Sequence, residues 1–214
     1  KRIRAGHLHA GVAALFAVGW YLLQDEEFLK ARLHALVLKQ TGRELAIDGP
    51  LRVELGAESS IEAHGIRLQN AAWAGRDDML ELGRLRVTLD LRSLFSGPPV
   101  ILSLLLEDCS LLFARRADGT GNWQLRPPPT AADRRAREAD GAPAVLLREA
   151  RVRNCRLDFE GPQRAQPLAV SVAGFELALQ EGDRWQASGN GRVNDESLSF
   201  SGRLAPFSAL LRGG

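Results

Sequence analysis

The chain carries none of the short motifs that signal catalysis. It has no G-x-S-x-G elbow, no Walker-type phosphate loop, no H-E-x-x-H pair and no dinucleotide fingerprint. His34 falls in a helical stretch and His64 in an alternating one, and nothing in the spacing brings them together. Adjacent acids such as Glu107 and Asp108 lie in alternating segments, where they read as surface positions rather than a general acid and base. The reading is therefore non-enzymatic, with no cofactor and no metal. Cysteine is limited to Cys109 and Cys155, and the two do not form a C-x-x-C, so zinc and thioredoxin-like chemistry lack their ligands. Lysine is almost missing, with only Lys1, Lys30 and Lys39, and the net charge is +2. A nucleic-acid partner would require a basic stripe interleaved with aromatics. Instead, arginines alternate with acids, as in Arg84-Leu-Arg-Val-Thr-Leu-Asp90, the pattern of a solvated sheet face.

What is present begins with an uncharged, mostly apolar stretch, Ala5 to Leu23, behind the basic opening Lys1-Arg2-Ile3-Arg4. As a helix it would measure roughly 28 Å, close to one hydrocarbon core. Trp20 and Tyr21 stand near its far end, where interfacial aromatics belong. Residues 1–24 are expected to form a transmembrane anchor. Basic residues before the span and Asp25, Glu26 and Glu27 after it place the N-terminus in the cytoplasm and the body in the periplasm. The competing readings are a cleaved signal peptide and a buried soluble helix. No small-x-small cleavage site follows the apolar run. His7 and His9 are assigned to the interface rather than to a metal.

Residues 25–43 predict an amphipathic juxtamembrane helix. Asp25 is its cap, and Phe28, Leu29, Leu33, Leu36 and Val37 form its stripe. From Leu45 the period changes to two. Leu45, Ile47, Leu51, Val53 and Leu55 share a face, interrupted at Gly49-Pro50. Leu85, Val87, Leu89 and Leu91 alternate with polar neighbours, as do Leu102, Leu104 and Leu106, although Ile101 and Leu105 make that strand apolar on both faces. Leu157 and Phe159 follow, then Val170 and Val172, a slip at Gly174, and Phe175, Leu177 and Leu179. Leu198 and Phe200 come last. Residues 44–126 and 145–214 thus predict two β-segments with one wet and one apolar face, and 127–144 predicts a linker or loop. Glycines 65, 174 and 202 mark bulges or bends.

A weak repeat spans the linker. Leu106-Glu-Asp-Cys-Ser-Leu-Leu-Phe113 resembles Val152-Arg-Asn-Cys-Arg-Leu-Asp-Phe159, which suggests stacked similar strands with Cys109 and Cys155 at equivalent places. In an oxidising compartment a disulfide between them is one reading, and two small buried thiols are the other.

Four segments in order carry a resemblance. Thr41-Gly-Arg-Glu-Leu-Ala-Ile-Asp-Gly-Pro-Leu51 resembles the opening of the AsmA-like family of Gram-negative bacteria. Ile66-Arg-Leu-Gln-Asn-Ala-Ala-Trp-Ala74, Met79-Leu-Glu-Leu-Gly-Arg-Leu-Arg-Val87 and Asp118-Gly-Thr-Gly-Asn-Trp123 are similar to the segments that follow in that family. The likeness covers roughly residues 5 to 125. It implies an inner-membrane-anchored periplasmic protein of envelope maintenance, related to bridge-like lipid-transfer proteins. The implied fold is mainly β, an elongated, twisted and half-open groove lined by apolar side chains. Gly42, Gly49, Asn70, Trp73, Gly119, Asn122 and Trp123 are the matched motif positions and read as structural. The implied partners are the membrane, phospholipid acyl chains and envelope proteins. Three or four apolar side chains along one strand cover about 20 to 25 Å, more than the roughly 15 Å of one leaflet's hydrocarbon. Candidate lining residues are Leu85, Val87, Leu89, Leu102, Leu104, Leu106, Leu157, Phe159, Val172, Phe175 and Leu177. The alternative is a scaffold or assembly factor for outer-membrane protein biogenesis, its apolar face packed shut.

Overall fold

The computed structural model describes residues 25–93, 99–125, 146–162, 168–181, 184–194 and 196–204. The expected anchor at 1–24 and the expected linker at 127–144 lie outside the described residues. Among the described residues, no helix is long and apolar enough to cross a membrane.

Among the described residues, one helix, α1 (Glu26–Thr41), precedes ten strands. Asp25 caps its start, the carboxylate Oδ1 accepting from Phe28 N at 3.0 Å, and Gly42 ends it with φ 68°. Leu29 and Leu33 pack against the core, whereas Phe28 and Leu36 of the expected stripe stay exposed. The helix meets chiefly β1 and β2, so the ridge carrying Leu29 and Leu33 finds partners. Leu51 N donates to the Glu26 carboxylate at 3.1 Å, and His34 Nδ1 lies 2.8 Å from the Leu45 carbonyl. These contacts lay the helix along one edge of the sheet.

The strands are β1 (Leu45–Ile47), β2 (Leu51–Glu54), β3 (Glu58–Gln69), β4 (Asp78–Asp90), β5 (Val100–Ala114), β6 (Leu146–Leu147), β7 (Glu149–Glu160), β8 (Leu168–Gln180), β9 (Arg184–Val193) and β10 (Glu196–Leu204). All ten belong to one open sheet, ordered β1-β3-β4-β5-β7-β8-β9-β10, with β2 beside β3 and β6 beside β5. Neighbours are antiparallel except at β5, which runs parallel to β6 and β7. The two β-segments are therefore two meanders joined side by side. The repeat seen in the sequence is the β5–β7 pairing itself: Leu106 faces Val152, Cys109 faces Cys155 and Phe113 faces Phe159. Cys109 and Cys155 are joined as a disulfide with their Cα atoms 4.4 Å apart, within the range that permits the bond.

A crease crosses this sheet. On β3 the inward residues go from Ala63 to Ile66, on β4 from Leu82 to Leu85, and on β5 from Leu106 to Cys109. On β7 they go from Val152 to Cys155, and on β8 from Val172 to Phe175. Each step is three residues where a flat strand would take two. Gly65 (φ 61°), Asp108 (φ 55°) and Asn154 (φ 49°) supply left-handed backbone at this row. Gly83 lies under Asp108, where a Cβ would sit 2.9 Å from the Asp108 Cβ. The edge breaks at the same row, with Gly49 N donating to the His64 carbonyl at 3.0 Å. Because β3, β4, β5, β7 and β8 slip together, their ladders keep register across the crease and the apolar residues keep to one face; β9 does not slip, and its pairing with β8 shifts between Val172 and Gly174. The slip expected at Gly174 is one member of this line. Gly202, by contrast, pairs regularly with Ala187 and marks no bulge. Leu55, expected on the inner face, falls beyond β2 and is 40% exposed.

Candidate functional site

The crease leaves four apolar rows running across the strands. The first is Leu45, Leu68, Leu80, Leu111, Leu157, Val170 and Val193. The second is Ile47, Ile66, Leu82, Cys109, Cys155, Val172, Gly191 and Leu198. The third is Leu51, Ala63, Leu85, Leu106, Val152, Phe175, Gly189 and Phe200. The fourth is Val53, Ile61, Val87, Leu104, Ala150, Leu177, Ala187 and Gly202. The path of eight strands has seven steps, so a full row spans about 34 Å at about 4.8 Å per step. The longest apolar track therefore runs across the strands, not along one strand as the sequence suggested.

The rows form one face. Leu51, Ala63, Ile66, Leu82, Cys109 and Cys155 make its buried cluster, and Leu85, Leu106, Leu111, Val152 and Val172 pack against them. Among the described residues there is no second sheet over this face, and α1 lies chiefly on β1 and β2. Away from the helix the apolar side chains are accordingly half-buried. All eleven expected lining residues, Leu85 to Leu177, fall in this class. Ten of them align on the face, Phe159 in the adjoining row of Phe113 and Leu168. Leu102 does not align. The register shifts between Thr88 and Leu89, so Leu89 pairs with Ile101 and Leu102 is left as the extra residue of a bulge. Leu80, Leu82, Leu111 and Val152 were missed in the sequence because the three-residue step hides their period, and Val170, read there as part of an alternating strand, joins the first row. The signal was there as apolar-x-x-apolar spacing around Gly83, Asp108, Asn154 and Gly174.

The opposite face is polar and cross-linked by ions. Arg84 reaches Glu62 at 3.2 Å and Glu107 at 3.1 Å, Arg153 reaches Glu107 at 3.4 Å, and His64 lies 2.8 Å from Glu62. The His64 hydrogen bond, with Arg84 behind it, holds the Glu62 carboxyl below its usual range. Among the described residues no group of His, Cys, Asp and Glu is placed to hold a metal ion.

The motif positions shape one end of the sheet. Asn122 is fully buried. Its Oδ1 accepts from Ala114 N at 2.9 Å, and its Nδ2 donates to the Leu112 carbonyl at 2.7 Å and to Asn70 Oδ1 at 2.9 Å. Asn70 Oδ1 also accepts from Ala71 N at 2.8 Å. These two amides tie the loop after β3 to the loop after β5, while Asn70 Nδ2 itself is buried without a hydrogen-bond partner among the described residues. Gly119 (φ 89°) turns the second loop. At Gly121 a Cβ would lie 2.4 Å from the Trp123 ring, so only glycine lets the indole fold back there. Trp123 meets Phe113 edge-on at 6.0 Å, and Phe113 stacks on Phe159 at 5.1 Å. Trp123, one of the motif positions read as structural, remains 42% exposed. Trp73 carries the Arg116 guanidinium 4.9 Å from its ring centre.

A family model described as the AsmA family matches residues 12–158, more than half of the chain. No curated protein matches it.

Proposed function

The chain belongs to the AsmA family, and from that premise we propose that it holds phospholipid acyl chains on its apolar face in support of lipid transport and outer-membrane homeostasis. In this reading residues 1–24 anchor it in the inner membrane, the body is periplasmic, and the protein is not an enzyme. One observation carries the reading: among the described residues, the four apolar rows are half-exposed along one face of a single sheet that has one helix at its edge. Soluble proteins rarely leave so contiguous an apolar surface open unless something binds it. A row of about 34 Å exceeds the roughly 15 Å of a leaflet's hydrocarbon, so one acyl chain fits across several strands.

The test is Leu104→Asp in the full chain. A carboxylate in the fourth row repels an acyl chain through its desolvation cost, while an open face lets it stay hydrated. Loss of co-purifying lipid with a melting temperature near the parent's supports the reading. A parent that carries no lipid, with a variant that unfolds, sinks it in favour of a scaffold whose face is packed shut.

A further inference from the structure

At the Phe113 end of the apolar face lies a cavity of about 720 Å³ whose lining changes character from one side to the other. Its floor is apolar: Phe113, Phe159 and Leu168 form one row across β5, β7 and β8, continuous with the rows described above. Its rim carries Arg115, Arg116, Asp118 and Glu160, with the half-exposed indole of Trp123 beside them. Neutral groups contact both arginines, and Asp118 also attracts Arg116. Arg115 Nε donates to the Gly119 carbonyl at 3.1 Å, and Arg116 lies over the Trp73 ring. Asp118 is engaged by Thr120 N at 2.8 Å. The rim thus presents two guanidiniums and two carboxylates, with no net charge, above an aromatic floor.

We propose that this cavity seats the headgroup of a zwitterionic phospholipid, its phosphate against Arg115 and Arg116 and its amine against Trp123 and Glu160. This rests on the acyl-chain reading above and adds the lipid class. Guanidinium forks match phosphate oxygens, and an ammonium group is attracted both by a carboxylate and by an indole face. A singly anionic headgroup satisfies the arginines but leaves Glu160 facing a lipid with no cation. The acyl chains then run from Phe113 and Phe159 onto the rows.

The experiment uses the full chain in detergent with two probes, phosphatidylethanolamine and phosphatidylglycerol, each bearing a diazirine on one acyl chain. The expected result is about tenfold tighter retention of phosphatidylethanolamine, the size of one charge-assisted contact. Glu160→Gln should weaken phosphatidylethanolamine selectively. Arg115→Glu with Arg116→Glu should weaken both probes, while the tail still crosslinks to the apolar face. If the double variant fails to fold, Glu160→Gln and the two-probe comparison on the parent decide. Equal retention of both probes, with tails crosslinked to the rows, overturns the headgroup site and leaves the acyl-chain reading standing. Absence of crosslinking by either probe overturns both.

Discussion

Asn154 Nδ2 donates to Asp108 Oδ1 at 2.6 Å, and both residues sit in left-handed backbone immediately before the cysteines of the disulfide. The pair bridges β5 and β7 at the crease, where the two meanders meet. Asp and Asn tolerate positive φ better than other side-chain-bearing residues. Asp108→Gly should therefore lose little beyond the hydrogen bond, about 1 kcal/mol. Asp108→Val should lose the bond and add backbone strain, about 2–4 kcal/mol in total. Urea denaturation of the two variants checks this, and equal losses would show that the backbone conformation is not what matters there.

The disulfide closes a sequence separation of 46 residues. A loop of that length corresponds to about 4 kcal/mol of unfolded-state entropy in the chain-entropy model, and measured bonds commonly give 2–4. Replacing both cysteines with alanine should lower stability by about that much while leaving the β-rich circular dichroism spectrum intact. A double variant as stable as the parent would contradict this.

Gly121→Ala places a Cβ where the Trp123 ring lies. The indole must move off Phe113, and overpacking of this kind costs about 1–3 kcal/mol. The expected signature is a shifted tryptophan emission together with a lower melting temperature. Adding Trp123→Ala should recover most of the lost stability, because the clash then has no partner. Failure of that rescue would place the cost of Gly121→Ala elsewhere.

Glu62 gives the polar face an acid-sensitive component. Its folded carboxyl is held below the ordinary value, first by the His64 hydrogen bond and then by Arg84. A depressed carboxyl contributes stability above its unfolded pKa and loses it as pH falls through the lower folded value. Stability should therefore fall on acidification below about pH 4.5, and Glu62→Gln should flatten part of that fall. The group is near the surface, so salt should reduce the effect. An identical pH profile in the variant would remove Glu62 from the account.

The period-two stretches were legible wherever strands run straight. Leu85, Val87 and Leu89, or Leu157 and Phe159, announced both strand and face. The 46-residue offset of the cysteine repeat foretold two similar strands but not that they would be parallel neighbours. The crease was harder to read. A step of three residues looks like a lost pattern in any one strand, and only the pairing reveals that five strands step together. Asn122 read only as a structural motif position, because its partners, Asn70 and the Leu112 carbonyl, come from other elements. Exposure was also hidden. Phe28 and Trp123 are apolar residues at sensible positions, yet both stay exposed.

The most direct test compares two neighbours on β5. Leu104 lies in the fourth apolar row, and Leu105 pairs with Arg86 and Arg151 on the opposite face. A photo-crosslinking amino acid is placed at each position in the full chain in cells, and the adducts are identified by mass spectrometry. Phospholipid adducts at position 104 and none at 105 are the predicted result. Protein adducts at 104, or equal lipid labelling at both positions, would contradict an apolar face that holds acyl chains.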